Sequence, residues 1–247
     1  MLKRIPFAEH PTIWQGLQTC YECQDITGTN IRSIYRTREG TATTDASNLT
    51  TTGKLRKAFS FIGLSSDYIN LTGQLEKAVG EIFEVGKPFS IGFWVKPSTI
   101  SGNKAVFSTT ATSLQKGFYI AINGGYPYVV TVGTTSSSYD GLKTDSPHAS
   151  IGVWMHQVIT YGGGAIDSDW KFIINGVSVP WSVVASSGIV TSISSVAKNA
   201  YIGTTSSSAH FAGDIEQVLI WNREVTVPEA LWLAEGHISD QSWKEVA

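Results

Sequence analysis

Charge is scarce in this chain. Of its 247 residues only 15% are Asp, Glu, Lys or Arg, and the formal net charge is -2. Without a Lys/Arg stripe there is no electrostatic footprint for phosphates, which argues against a nucleic-acid partner. The small basic group Lys54, Arg56 and Lys57 reads as an ordinary solvated face. Cysteine is nearly absent as well, with only Cys20 and Cys23. A zinc site takes four ligands, and no second Cys pair or paired His follows. The surrounding Leu17–Cys23 stretch looks like a strand, where positions three apart point to opposite faces, so two separate thiols are expected, at least one of them buried. Long apolar runs are missing too. None approaches the roughly 20 residues of a membrane helix, so no membrane insertion is expected. The start, Met1 to Phe7, does not read as a signal peptide, because Pro6, Glu9 and His10 break the apolar run. The sequons at Asn48 and Asn70 are then read as chance.

What is present is the composition of a β protein. Hydrophobic residues make up 42% of the chain, with 24 Gly and 8 Trp. The length suits one large all-β domain. Residues 89–95 alternate and end at Pro97. Residues 117–122 run into Asn123-Gly124-Gly125, and residues 128–132 follow, the pattern of a meander. Trp154 to Tyr161 is another strand. Residues 170–174 meet Asn175-Gly176 and then 177–179, a strong hairpin signal because both turn residues accept positive φ. Trp94, Trp154, Trp170 and Trp221 fall in strands and are expected in the core or against a sheet. Two polar stretches, Thr134 to Ser138 and Thr204 to Ala209, are expected to be mobile loops. Two helices are expected. Leu75, Ala78, Val79, Ile82 and Phe83 have helical spacing. Thr226 and Glu229 form a capping box with Pro228 in the first turn, and Leu231, Trp232 and Ala234 would supply the apolar face.

Three blocks resemble the laminin G-like jelly roll, a branch of the concanavalin A-like lectin and glucanase superfamily. The first runs from Ala58-Phe59-Ser60-Phe61-Ile62-Gly63 through Asp67-Tyr68-Ile69 to Phe89–Pro97, similar to the family's A-F-x-F-D-G, D-Y-V and F-T-I-S-A-W-V-K-P. The second is Trp154–Gly163 with Lys171–Val177, like W-H-H-V-A-V-T-Y-D-G and K-L-Y-V-D-G-V. The third is Tyr201-Ile202-Gly203 with Phe211–Arg223, like Y-I-G and F-D-G-L-I-D-E-V-R-I-Y-N-R. The resemblance implies an all-β sandwich of two antiparallel sheets over residues 13–236, preceded by an N-terminal arm, 1–12, and followed by a tail, 237–247. The segment from Gly73 to Gly86 is longer than the family needs and reads as an inserted helix covering a sheet edge or end. Ile62, Gly162 and Ala212 stand where the family often has Asp or Asn. Calcium needs several oxygen ligands, so these departures argue against the rim calcium the family allows, and no cofactor or metal is expected.

Catalysis is not expected either. The superfamily's laminarinase-type members carry E-x-D-x-x-E or E-x-D-x-E, a nucleophile and an acid on one sheet face. Here the nearest string is Ala212-Gly213-Asp214-Ile215-Glu216. Its first position is Ala, so Asp214 and Glu216 read as a strand face or a loop anchor. The five His are scattered, and His156 reads as structural. Binding is the remaining class. Sugar rings stack on aromatic faces while amides and carboxylates take their hydroxyls, and Tyr126, Tyr128, Tyr139, Trp181 and His210 lie near turn signals. The setting expected is a bacteriophage virion surface, as a head-decoration, tail or fibre module made in the host cytoplasm. Its partners would be other virion proteins, further copies of itself, or cell-surface glycans. Leu2, Lys3, Arg4, Ile5 and Phe7 of the arm would anchor it. The alternative is a stand-alone, extracellular carbohydrate-binding lectin, and a glycoside hydrolase is a distant third.

Overall fold

The computed structural model describes residues 11–33, 39–43, 49–71, 82–84, 86–110, 117–133, 138–188, 190, 200–205 and 209–236. The arm residues Leu2, Lys3, Arg4, Ile5 and Phe7 and the tail 237–247 lie outside them. So do Leu75, Ala78 and Val79 of the first expected helix, and the stretches 134–137 and 206–208. Among the described residues the chain forms β1 (Leu17–Thr27), β2 (Asn30–Ser33), β3 (Glu39–Ala42), β4 (Thr50–Thr52), β5 (Lys57–Ile62), β6 (Ile69–Asn70), β7 (Phe89–Pro97), β8 (Asn103–Ser108), β9 (Gly117–Asn123), β10 (Tyr126–Val132), β11 (Tyr139–Thr144), β12 (Met155–Tyr161), β13 (Trp170–Ile174), β14 (Val177–Val179), β15 (Trp181–Ser187), β16 (Tyr201–Ile202), β17 (Ala212–Trp221) and α1 (Val227–Ala234).

Every pairing is antiparallel. One sheet runs β15-β11-β10-β9-β8-β16-β6-β3. The other runs β14-β13-β12-β7-β17, and β17 pairs on its far side with β5 along one half and β1 along the other. β2 pairs with both β1 and β3 and so joins the two sheets at one corner. The result is a jelly-roll sandwich. The expected long strands are internal. Met155–Tyr161 lies between β7 and β13, and Ala212–Trp221 lies between β7 and the β5/β1 flank.

Alternation sorts each strand's side chains between two faces. Phe89, Ile91, Phe93 and Val95 of β7 point into the main core, where they meet Phe118, Ile120 and Ile122 of β9 and Val129 of β10. Phe83, at the end of the first expected helix, sits edge-on to Phe89 at 4.8 Å and to Phe118 at 5.2 Å. The hairpins follow the turn chemistry. Asn175 (φ 49) and Gly176 (φ 80) link β13 to β14, and Gly124 (φ 62) and Gly125 (φ 87) link β9 to β10. Positive φ at both central residues matches the strand twist, and Asn and Gly adopt it at little cost. Cys20 and Cys23 are both free and buried, on opposite faces of β1, one in each core. Burial raises the Cys20 thiol and pushes the Cys23 thiol up to about 12.

A second, smaller core lies on the outer side of the β7–β17 sheet. Val158, Ile173, Leu219 and Trp221 meet Ile13 of a 3-10 turn (Pro11–Trp14) and Ala230, Trp232 and Leu233 of α1. The capping box forms as expected, with the Thr226 N–H donating to Glu229 Oε2 at 2.8 Å and the Glu229 N–H donating to Thr226 Oγ1 at 3.4 Å. The buried face differs from the expected one. Ala230, Trp232 and Leu233 face the sheet, while Leu231 is 43% exposed and Ala234 is half-buried. The phase is set by Glu229, which Arg223 grips with two nitrogens at 2.8 and 2.9 Å. Burial opposes ionisation of Glu229, but Arg223 and the Thr226 backbone and hydroxyl hold its carboxyl below the usual range. Arg223 also donates to the Thr12 carbonyl at 2.5 Å, so Pro11 and Thr12 belong to the folded sandwich rather than to a free arm.

Candidate functional site

The outer face of the β15–β3 sheet is assembled by register. In β10, Pro127, Val129 and Thr131 point inward, leaving Tyr126, Tyr128, Val130 and Val132 outward. Tyr128 stands between Lys143 of β11 and Ala121 of β9, and Tyr139 of β11 is opposite Val132. Three of the five expected binding residues therefore share one face. Tyr139 is 38% exposed, and Tyr126 and Tyr128 are half-buried. The Tyr128 ring leans across Gly141, where an added Cβ would come within 3.1 Å of its Cζ. Lys143 places its ammonium 4.3 Å from the centre of the Tyr126 ring, which is cation–π distance. Asn103 and Asn123, a facing pair on β8 and β9, expose their amides at the hairpin end beside Tyr126.

Two further tyrosines join this face. Tyr119 of β9 is opposite Val130, and Tyr201 of β16 is opposite Ser108 of β8. Both are half-buried. Desolvation and the neighbouring Tyr128 phenol raise the Tyr119 hydroxyl far above its usual range, and desolvation with Tyr139 raises Tyr128. Tyr119 and Tyr128 thus act as neutral donors and acceptors at any ordinary pH. Sequence reasoning passed over Tyr119 and Tyr201 because neither sits beside a turn. The available signal was the alternation Phe118-Tyr119-Ile120, in which Tyr takes the face opposite two core residues.

The other two expected residues are not brought here. Trp181 lies opposite Thr144 on the inward side of β15, with Phe172 at 6.3 Å, and so packs on the main core. His210 sits at the rim, where its Nδ1 is 2.9 Å from Thr204 Oγ1. Desolvation, then Lys104, lowers its pKa against the opposing pull of Asp67. Thr204, Thr205 and Ala209 are buried, which corrects the expectation of a mobile loop at those three positions.

The carboxylates that would matter for catalysis are on the other sheet. Asp214 is paired with Lys96 at 2.6 Å. Glu216 accepts the backbone N–H groups of Lys54 at 2.5 Å, Leu55 at 3.1 Å and Arg56 at 2.7 Å, so it is a loop anchor. Burial pushes its carboxyl above the usual range, and these N–H groups and Arg56 oppose that shift. Arg56, expected on a solvated face, is instead half-buried and paired with Glu22 at 2.9 Å, while Lys54 lies over the Trp94 ring at 5.8 Å. His156 is buried against Trp94 at 5.1 Å, and desolvation lowers its pKa to about 3, so it is a neutral structural residue. Among the described residues no group of three or more His, Cys, Asp or Glu could hold a metal ion, and no helix is long and apolar enough to cross a membrane.

With this geometry in view, the relatives can be placed. Residues 65–230 match a laminin G family of the concanavalin A-like lectin/glucanases superfamily, and the chain belongs to that family. No curated protein matches by sequence. Among solved structures, the chain is similar to domain 4 of AbnA, a GH43 extracellular arabinanase from Geobacillus stearothermophilus, solved in complex with arabinotriose. The identity there is 18% and the TM-score 0.55, with 87% of this chain and 86% of that one covered. It is also similar to the binding domain of Paraclostridial Mosquitocidal Protein 1 (14% identity, TM-score 0.63, 89% of this chain and 52% of that one). The botulinum neurotoxin serotype D binding domain is a third (15%, TM-score 0.60, 90% and 52%). The chain thus spans about half the length of the toxin fragments it matches. These likenesses establish a lectin-like jelly-roll fold.

Proposed function

We propose that this protein is a non-catalytic carbohydrate-binding domain that takes its ligand on the tyrosine face of the β15–β3 sheet. The observation that carries this reading is the grouping of Tyr119, Tyr126, Tyr128, Tyr139 and Tyr201 on one outward face, all at least partly exposed. Aromatic rings take the C–H face of a sugar, and well-placed polar groups fix its orientation. The arabinanase domain solved with arabinotriose, and the toxin binding domains, lend the reading support through their shared fold.

The experiment is a glycan array probed with the native chain and with Tyr128→Ala. Binding to at least one glycan class, lost in the variant while its melting temperature holds, is the expected result. Binding to none, or binding that Tyr128→Ala leaves intact, sinks the reading. Asp214 and Glu216 are committed to Lys96 and to a loop, so no hydrolysis is expected. Turnover of a β-glucan that Glu216→Gln abolishes would overturn the non-catalytic part.

For the setting we propose a virion surface anchored through the arm, with a free lectin as the alternative. Deleting residues 1–10 separates them. Loss of particle attachment with an unchanged melting temperature supports anchoring. Intact attachment with a lowered melting temperature assigns the arm to its own sandwich.

A further inference from the structure

The tyrosine face has a second half, in which Tyr201 stands among polar side chains. One register row crosses eight strands: Ala185, Gly141, Val130, Tyr119, Ser108, Tyr201, Asn70 and Thr41. Tyr128 and Tyr139 flank this row at one end. Beyond Tyr119 the row turns polar. Neighbouring strands are about 4.8 Å apart, so Gly141 and Asn70, five spacings apart, are separated by about 24 Å. A single sugar or a disaccharide cannot reach across that distance.

Ser108 lies in the polar half, between Tyr119 on β9 and Tyr201 on β16. It is fully buried, and its Oγ has no hydrogen-bond partner. Its neighbour Phe107 points into the main core, so alternation directs Ser108 to the outer face. Tyr201 is held edge-on by Tyr68 at 5.7 Å, which fixes one wall beside the hydroxyl. A buried, unpaired hydroxyl is costly and calls for an explanation. On the outer face, between two phenols, that explanation is a partner supplied from outside.

We infer that the face binds the interior of a linear oligosaccharide lying across the strands, with Ser108 hydrogen-bonding a sugar hydroxyl in the half beyond Tyr119. The inference rests on the glycan reading above and adds the ligand's length, its direction and one specificity residue. The aromatic half stacks the first sugars of the stretch. The chain then passes over Tyr119 and pairs with Ser108, which is fully buried and so must be uncovered by a shift of its surroundings as the ligand binds.

The test uses ladders of arabino-, xylo- and gluco-oligosaccharides from two to eight sugars, titrated calorimetrically against the full chain. In at least one ladder the hexasaccharide should bind tenfold or more tightly than the disaccharide. Ser108→Ala should remove about tenfold of the hexasaccharide affinity and leave any disaccharide affinity unchanged. The same variant should melt no lower than the native chain, because it deletes an unsatisfied group. That opposite sign separates ligand contact from a structural role. A second variant, Tyr201→Ala, should likewise weaken long chains only. Equal affinity for short and long chains, or no effect of Ser108→Ala on the hexasaccharide, overturns the inference while leaving the glycan reading standing. Binding to none of the ladders, nor to any glycan on the array, overturns both.

Discussion

Tyr128 and Trp221 occupy comparable places. Each is an outward-pointing aromatic residue on an internal strand of its sheet, and each has a flanking glycine, Gly141 for Tyr128 and Gly92 for Trp221, that lets the ring lie low against the next strand. Their fates differ. Trp221 is fully buried and donates its indole N–H to the Ile13 carbonyl at 2.8 Å, under the 3-10 turn and α1. Tyr128 stays half-exposed, with other tyrosines around it. The difference lies in the company each keeps. Trp221 is surrounded by Leu219, Val158 and Ile173, which have no polar atoms and must be covered. Tyr128 is surrounded by Tyr, Lys, Ala and Gly, a surface that can remain in contact with water. The covered face provides stability, and the open face is the one we propose for a ligand.

This contrast is broken most severely by Trp221→Ala. Emptying the second core should cost about 3–5 kcal/mol in denaturant unfolding, and the protein that remains folded should bind glycan as before. Lost binding in that folded fraction would mean the two faces are coupled. Next comes Glu216→Ala, which strips the acceptor from three backbone N–H groups of the 54–56 loop. A loss of about 1–2 kcal/mol is expected, since these partly buried donors lose a charged acceptor. Gly141→Ala acts in the opposite sense. Its new methyl group would displace the Tyr128 ring, so affinity should fall by about 1–2 kcal/mol, the scale of a displaced aromatic anchor, with a smaller change in melting temperature.

The pH dependence sharpens the comparison further. His156 lies in the covered sheet, and its pKa falls from about 6.5 unfolded to about 3 folded because burial disfavours the cation. The unfolded chain therefore binds a proton that the folded chain refuses between those values. Stability contributed by neutral His156 is whole above about pH 6.5 and is lost as pH falls toward 3, with a slope approaching about 1.4 kcal/mol per pH unit. His156→Phe should flatten that slope. Glu229 adds a loss of the same sign at lower pH. Its folded pKa is depressed, so its contribution is present above the unfolded value and fades as pH falls through the folded one. On the open face desolvation raises the Tyr119 and Tyr128 hydroxyls, so neither phenol should make affinity depend on pH between pH 5 and pH 8. A pronounced pH optimum in binding would point to a contact other than these two phenols, with His148 beside the Gly125 turn the first to replace.

The α1 capping box, the Asn175-Gly176 hairpin and the two long internal strands were readable from the residues, because caps, turns and two-residue alternation are local properties. Local pattern also separated Cys20 from Cys23. It did not separate Leu231 from Leu233. Both fit an apolar helix, and the Arg223–Glu229 grip decides which one meets the sheet. Nor did it separate Trp181 from Tyr128. Both are aromatic residues near turns, and only the pairing of β15 with β11 turns the first inward. Arg56 looked like surface until β17 brought Glu216 up to its loop from 160 residues away. By itself the sequence determined which segments become strands and which side chains alternate, since both follow from backbone geometry within a few residues. Which face is covered, and which tyrosines stand in one row, was decided only by the tertiary structure, because strand order and register arise from contacts between residues far apart in the chain.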